Sequence, residues 1–356
     1  MQHHRGETDN KKVFIGPRGL GAGERAYIIA EVGQAHDGSL GMAHSFIDAA
    51  TEAGADAIKF QTHIAAAEST LEEPFRARFS LQDSDRYSYW QRMEFSDKQW
   101  RDLAEHARGN GIEFISSPFS SRAVELLRDL GVLAWKIGSG EALSLQLIEA
   151  IGASKGTVLL STGMSRWEEI DRATDIIRTQ GNQLVVFQCT SKYPTSLDQV
   201  GMNILDQLRK RYHCPVGLSD HSGTPFPALS AIALGCEVIE VHVTFDRRMF
   251  GPDMSSSVTF DELQLISQMR DASHTMSSNP VDKDLMATSL ESMRNTFGKS
   301  VAVVENLEVG TIIQRDMLTL KKPASGIPES KIDQIIGKKL NKTVSADRLL
   351  SWMDFE

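Results

Sequence analysis

The stretch Pro215 to Thr244, PVGLSDHSGTPFPALSAIALGCEVIEVHVT, decides the architecture. Val216 to Ser219 is a short apolar run ending in polar residues, which reads as a buried strand meeting a loop. Thr224 ahead of Pro225 predicts a helix start, a hydroxyl cap followed by the proline that a first turn tolerates. Gly235 predicts the helix end, and Glu237 to Thr244 the next strand. The repeat length fits one unit of a parallel sheet, so both strands run the same way. His221 then follows the carboxyl end of the first strand, and His242 lies near that of the second. Neighbouring strands are about 4.8 Å apart, so the two imidazoles share one rim and can share a metal ion. A lone histidine there would read as a hydrogen-bonded core or loop residue; two at matching strand ends read as ligands.

The same rhythm extends back to Ala26. Strands are expected at AYIIAEVG (26–33), DAIKFQT (56–62), IEFISS (112–117), LAWKIGS (133–139), TVLLST (157–162) and QLVVFQC (183–189), followed by the two above. Helices are expected at 40–53, 97–108, 121–130, 145–153, 166–179, 203–211, 225–234 and 260–275. Ser96-x-x-Gln99 and Ser165-x-x-Glu168 read as capping boxes. Eight βα units in series predict a (β/α)8 TIM barrel. An open doubly wound sheet is the alternative, but the first turn, EVGQAHDGS (31–39), is no dinucleotide fingerprint.

The barrel is expected over 26–276, after a segment 1–25 that combines a loose tail of ten residues with a barrel-floor piece, 13–25. The connection His63 to Phe95 is long enough for a functional lid, and Phe75, Phe79, Tyr87, Tyr89 and Trp90 should pack it down. Polar residues 277–296 read as a linker. From 297 to 356 short β runs and turns replace the βα rhythm, predicting a small β-rich domain that docking on another subunit would steady.

Of the 356 residues 41% are hydrophobic, ample for a large core, yet no run nears the 18 apolar residues of a membrane span. The polar start, MQHHRGETDNKK, has no apolar leader segment. A net charge of −9 argues against nucleic acid, so local cations must hold any anionic substrate. Cys189, Cys214 and Cys236 lack metal or redox spacing and read as buried reduced thiols, which points to the cytoplasm.

Barrel enzymes carry their chemistry at strand carboxyl ends. Those ends offer Glu31, Lys59, Gln61, Ser116, Ser117, Lys136, Ser139, Ser161, Thr162, Ser191, Tyr193, Ser219, Asp220, His221 and His242. Two lysines with short hydroxyls make a phosphate site. Lys59 and Lys136 stand inside apolar strands, where an unpaired ammonium costs several kcal/mol, so a function is expected of them. KIGSGE (136–141) adds a turn whose backbone N–H groups can approach an anion. Glu31, read beside His36, suits a general base or a metal partner. Asp253 suits sugar hydroxyls. Together these groups suit a carbonyl activated by a divalent ion while a phosphorylated carbon nucleophile attacks. Imidazole and carboxylate ligands leave the choice of metal open.

The motifs AEVGQAHDG, AIKFQTH, ISSPFS, AWKIGSGE, LLSTGM, QCTSKYPT, GLSDHSG and EVHVTFDRRMFGPD, then GIP and IIGKKL, resemble the sialic acid (N-acetylneuraminate) synthase family over about 26–350. The resemblance implies a barrel followed by an antifreeze-like (SAF) domain, and a domain-swapped homodimer. It implies condensation of phosphoenolpyruvate with an open-chain N-acylated hexosamine such as N-acetylmannosamine, giving a nine-carbon 2-keto-3-deoxy acid and phosphate. Manganese, or magnesium or cobalt, is implied on His221 and His242. Glu31 matches a catalytic glutamate. Lys59, Ser117, Lys136, Ser139, Ser161, Ser191, Tyr193 and Ser219 match phosphoenolpyruvate positions; Gln61, Glu141, Tyr193 and Asp253 match sugar positions. Lys322 stands where the family usually carries an arginine that reaches the partner's sugar, and Ser191 where asparagine is common. Both departures bear on the sugar, so a hexose of the legionaminic or pseudaminic type fits as well as N-acetylmannosamine. An octulosonate or heptulosonate phosphate synthase is the alternative enzyme, and a carbohydrate- or ice-binding protein the non-enzymatic one.

Overall fold

The computed structural model describes residues 12–75 and 81–356. The ten-residue tail and Phe79 lie outside the described residues. The chain divides after Ser278 into two compact units.

In the first unit a short hairpin, β1 (Val13–Ile15) and β2 (Arg18–Leu20), precedes the barrel. The barrel strands are β3 (Tyr27–Gly33), β4 (Ala57–Thr62), β5 (Glu113–Pro118), β6 (Ala134–Ile137), β7 (Thr157–Ser161), β8 (Gln183–Cys189), β9 (Val216–Asp220) and β10 (Val238–Thr244). They pair in chain order, all parallel, and β10 pairs with both β9 and β3, which closes the ring. A short β11 (Val258–Thr259) pairs in parallel alongside the end of β10. Helices α1 (Leu40–Glu52), α2 (Ala65–Glu68), α3 (Arg86–Met93), α4 (Asp97–Gly109), α5 (Ser121–Asp129), α6 (Leu145–Ala153), α7 (Trp167–Thr179), α8 (Met202–Tyr212), α9 (Phe226–Ala233) and α10 (Phe260–Ser278) fill the connections. The eight-stranded barrel expected from the βα rhythm is therefore present.

Strand residues alternate between two cores. Ile28, Ala30, Ile58, Phe60, Ile239 and Val241 face outward onto helix residues such as Phe46, Trp100 and Leu263. Tyr27, Ile29, Ala57, Leu159, Val185 and Val238 face inward and meet Val13, Ile15 and Leu20 of the hairpin, which closes the amino-terminal end of the barrel. Two helix starts differ from expectation. Helix α7 is capped at Arg166, not Ser165, and only half a box forms: the Arg166 amide donates to Glu169 Oε2 at 2.6 Å, while the arginine side chain has no acceptor to return. Helix α9 is capped by Pro225 without a side-chain bond, because the Thr224 hydroxyl pairs with Ser222 Oγ at 3.1 Å instead.

The second unit begins where a linker was expected, but 279–297 carries two short helices, α11 (Lys283–Ser289) and α12 (Glu291–Phe297). The Asp282 carboxylate caps the first, accepting from the Asp284 and Leu285 amides at 2.9 Å. Strands β12 (Ser300–Val303) and β13 (Leu318–Lys321) pair antiparallel. Val301, Val303, Ile313, Ile335, Leu340, Val344 and Leu350 form this unit's own core.

Candidate active site

The inward-facing residues change character along each strand. The apolar floor gives way to a polar layer: Glu31 on β3, Lys59 and Gln61 on β4, Ser117 on β5, Lys136 on β6, Ser161 on β7, Ser219 on β9, and Glu240 and His242 on β10. Those residues line one cavity of about 460 Å³, a size suited to small molecules. Ser139, Glu141, Ser191, Tyr193, His221 and Asp253 complete its wall among the residues singled out above. Ser116 and Thr162 point the other way: their hydroxyls donate to the carbonyls of Phe60 (3.0 Å) and Phe187 (2.8 Å). Asp220 is tied to Ser222 Oγ at 2.6 Å and does not line the cavity. Lys322 belongs to the second unit, where its ammonium sits 5.2 Å from the Phe297 ring centre.

At the heart of the cavity four charged groups are buried together. Lys59 Nζ lies 2.7 Å from Glu31 Oε2 and 3.9 Å from Glu240 Oε2; Lys136 Nζ lies 3.2 Å from Glu240 Oε1. Lys136 also donates to Ser161 Oγ at 2.7 Å, Lys59 to Ser117 Oγ at 3.4 Å, and Ser219 Oγ to Glu240 Oε1 at 3.0 Å. Two ammoniums against two carboxylates make a neutral set, which tempers the several kcal/mol that each buried ion costs. Burial, with the charge of Glu240, raises the Glu31 carboxyl above its ordinary value despite Lys59. Burial also works against ionised Glu240, but Lys136 and Lys59 outweigh it and hold that carboxyl low. Lys136 is lowered by burial, whereas for Lys59 the two carboxylates outweigh burial and raise it. Glu240 went unnoticed in the sequence, although it precedes His242 by two residues and so must share its face.

His36 does not partner Glu31. It packs 4.8 Å from the Phe95 ring and accepts from the Gly38 amide at 3.1 Å.

The two rim imidazoles do meet. The His221 and His242 ring centres are 5.2 Å apart. The His221 Nδ1 donates to the Thr190 carbonyl at 3.0 Å, which leaves Nε2 with its lone pair toward Tyr193 Oη at 2.9 Å. Burial holds the His242 ring neutral, its pKa pushed down to about 3. Among the described residues no group of three His, Cys, Asp or Glu side chains converges as a metal site. The donor set nonetheless fits a divalent ion. A Cβ on Gly33 would lie 3.5 Å from His242 Nδ1 and 3.6 Å from Asp253 Oδ2, so the bare Cα keeps that space open between imidazole and carboxylate. Its φ of +55° also favours glycine.

A second bare Cα shapes the opposite wall. A Cβ on Gly163 would fall 2.5 Å from Ser191 Oγ and 2.9 Å from both Cys189 Sγ and Ser139 Oγ. Its amide donates to Ser139 Oγ at 3.0 Å.

The NeuB family model matches residues 46–280, and the SAF domain model residues 298–356. The chain belongs to the NeuB family. This NeuB-family chain is 34% identical, over 98% of its length and 99% of the relative's, to the N,N'-diacetyllegionaminic acid synthase of Legionella pneumophila. It is 32% identical to the human N-acetylneuraminate-9-phosphate synthase, over 93% of this chain and 92% of the human one. The crystal structure of an N-acetylneuraminic acid synthetase from Leptospira borgpetersenii, in complex with citrate, superposes with a TM-score of 0.70 and 28% identity, covering 81% of this chain and 98% of that one.

Proposed function

We propose that this NeuB-family chain condenses phosphoenolpyruvate with an open-chain N-acylated hexosamine, giving a nine-carbon 2-keto-3-deoxy sugar acid and phosphate. The observation that carries this is the juxtaposition, in one cavity, of two buried lysines on a hydroxyl-lined wall with two neighbouring imidazoles. The names of the relatives, synthases of nine-carbon acids, support it.

In this reading Lys59 and Lys136 carry the charge of phosphoenolpyruvate, with Ser117, Ser139, Ser161, Ser191, Tyr193 and Ser219 donating around it. The anion must displace Glu240 as the lysines' partner, which favours a substrate with several negative oxygens over a weak one. Gln61, Glu141, Tyr193 and Asp253 face the acceptor's hydroxyl and amide groups. His221 and His242 would hold a divalent ion, manganese, magnesium or cobalt, which when bound supplies a Lewis acid for the aldehyde oxygen. The methylene carbon of phosphoenolpyruvate bonds to the aldehyde carbon, water adds at C2, and phosphate leaves with its bridging oxygen as the C2–O bond breaks. The added water becomes the keto oxygen and so gives up both protons: one reaches the new hydroxyl and the other the departing phosphate. Glu31, with its raised carboxyl beside Lys59, is the group to move a proton at neutral pH.

We extend the proposal to a domain-swapped homodimer in which Lys322 serves the partner's cavity, and to a cytoplasmic enzyme, which suits three free cysteines. Among the described residues no helix is long and apolar enough to cross a membrane. The deciding experiment is a phosphate-release screen of unphosphorylated N-acylated hexosamines, and of phosphorylated aldoses, with phosphoenolpyruvate and manganese. Release with an unphosphorylated hexosamine is expected; release only with phosphorylated aldoses sinks the proposal.

A further inference from the structure

The wall of the cavity that carries Gln61 continues outward through residues with no part in the chemistry above. Gln61 Oε1 lies 3.2 Å from His63 Nε2, the His63 ring stacks on Trp90 with centres 3.9 Å apart, and the Arg86 guanidinium sits 5.0 Å from the Trp90 ring. Arg86, Trp90 and Glu73 all line the cavity, as do the rings of Phe75 and Tyr89. Arg86 is pinned: its Nε lies 3.1 Å from Glu73 Oε1, and its Nη1 donates to the Pro74 carbonyl at 3.1 Å. Glu73 is fixed in turn by the Trp90 indole N–H, which donates to its Oε2 at 3.0 Å. The remaining guanidinium nitrogen, Nη2, has no hydrogen-bond partner among the described residues. A guanidinium held this way is a donor prepared in advance, and Glu73 cancels its charge. Glu68 and Glu141 line the same cavity, and burial, followed by the charge of Glu68, raises the Glu141 carboxyl.

We propose that Arg86 is a specificity-determining residue, which donates to the carbonyl of a second acylamido group that the acceptor sugar carries beyond the one next to its aldehyde. The inference rests on the synthase reading of this cavity. With phosphoenolpyruvate on the lysines and the aldehyde at the rim histidines, the middle of the acceptor falls to Gln61. Its later carbons then run outward along the wall, toward Trp90 and Arg86. A guanidinium already neutralised gains most from an uncharged oxygen. An acyl carbonyl supplies one for Nη2, and its methyl group exchanges water for aromatic surface. A hydroxyl would satisfy the donor but leave the rings hydrated. A phosphate would bring its negative charge to a lining that already holds Glu68, Glu73 and Glu141, and like charges repel.

The test is phosphate release by the full-length protein with phosphoenolpyruvate, manganese and one of three acceptors. These are N-acetylmannosamine, its 6-phosphate, and the same sugar with an acetamido group in place of its C4 hydroxyl. The diacylated sugar is expected to give a kcat/KM about 10- to 100-fold above that of N-acetylmannosamine, the scale of one hydrogen bond to a charged group, and the 6-phosphate the lowest value. Arg86→Gln should cut the preference for the diacylated sugar by about 10-fold or more, with the loss in KM for that sugar. The preference is a ratio within one preparation, so a partly misfolded variant still reports it. Glu73→Gln, which removes the counter-charge of Arg86, should raise use of the 6-phosphate relative to its parent. A wild-type preference for N-acetylmannosamine over the diacylated sugar overturns the proposal. So does a preference that survives Arg86→Gln, or a Glu73→Gln variant that gains nothing with the 6-phosphate. A wild type that releases no phosphate from any hexosamine overturns the synthase reading instead.

Discussion

His242 and His36 are both buried with their pKa pushed down to about 3, in each case by burial first. An unfolded chain would protonate both near pH 6.5. Between those values the unfolded state binds protons that the folded state refuses, so stability is lost as the pH falls. Each ring contributes about 2 kcal/mol to that loss between pH 6.5 and 5. His36→Asn keeps an acceptor for the Gly38 amide and is expected to remove about half of it; urea unfolding at pH 7 and pH 5 measures the difference, and an unaltered acid-side drop contradicts the assignment. Glu240→Ala leaves the Lys136 ammonium buried beside Ser161 without its counter-charge. A loss of about 3 kcal/mol in urea stability is expected, and a loss below the spread of ordinary surface substitutions argues against the charge set. Glu31→Gln should leave phosphoenolpyruvate binding intact by calorimetry while phosphate release stops; normal turnover removes Glu31 from the chemistry. At this scale the lysines, the hydroxyls and both rim histidines were legible, because charged residues inside apolar strands need a reason. Glu240 and His63 were legible only in part. Glu240 stands on an expected strand and His63 just past one, but their partners lie on other elements: Ser219 and Lys136 for one, Glu68 and Gln34 for the other.

At the scale of elements, the turn after β3 is the sensitive joint. Gly33 has a left-handed φ and its missing Cβ leaves room between His242 and Asp253. Gly33→Ala is expected to cost about 1–2 kcal/mol in backbone strain and to weaken manganese binding measured by calorimetry; unchanged affinity places the ion elsewhere. Strand and helix existence followed from period-two and period-3.6 patterns, and all eight barrel strands lie within a residue or two of the expected spans. Helix ends were harder. The α7 start slid by one residue and Thr224 gave up its cap, because several polar side chains near a helix start compete for the same amides. The polar stretch 279–297 formed helices although it buries no side chain, so no apolar stripe announced them.

At the scale of the whole molecule, the proposed exchange of tails between subunits predicts complementation. His242→Ala disables a barrel and Lys322→Ala a tail. Mixed dimers of the two would hold one intact barrel served by one intact tail, so refolding the pair together should recover activity that neither variant has alone. No recovery means that each tail serves its own barrel, or none. The order of strands, the two units and the chemistry on offer were determined by the sequence alone, since periodicity, turn residues and strand-end polarity are local properties. The charge-neutral quartet of Glu31, Lys59, Lys136 and Glu240, the partners of His221, and the space under Gly33 were decided only by the tertiary structure. Each depends on side chains far apart in the chain meeting inside a closed barrel, where a few tenths of an ångström and the absence of water set which group holds a proton or a charge.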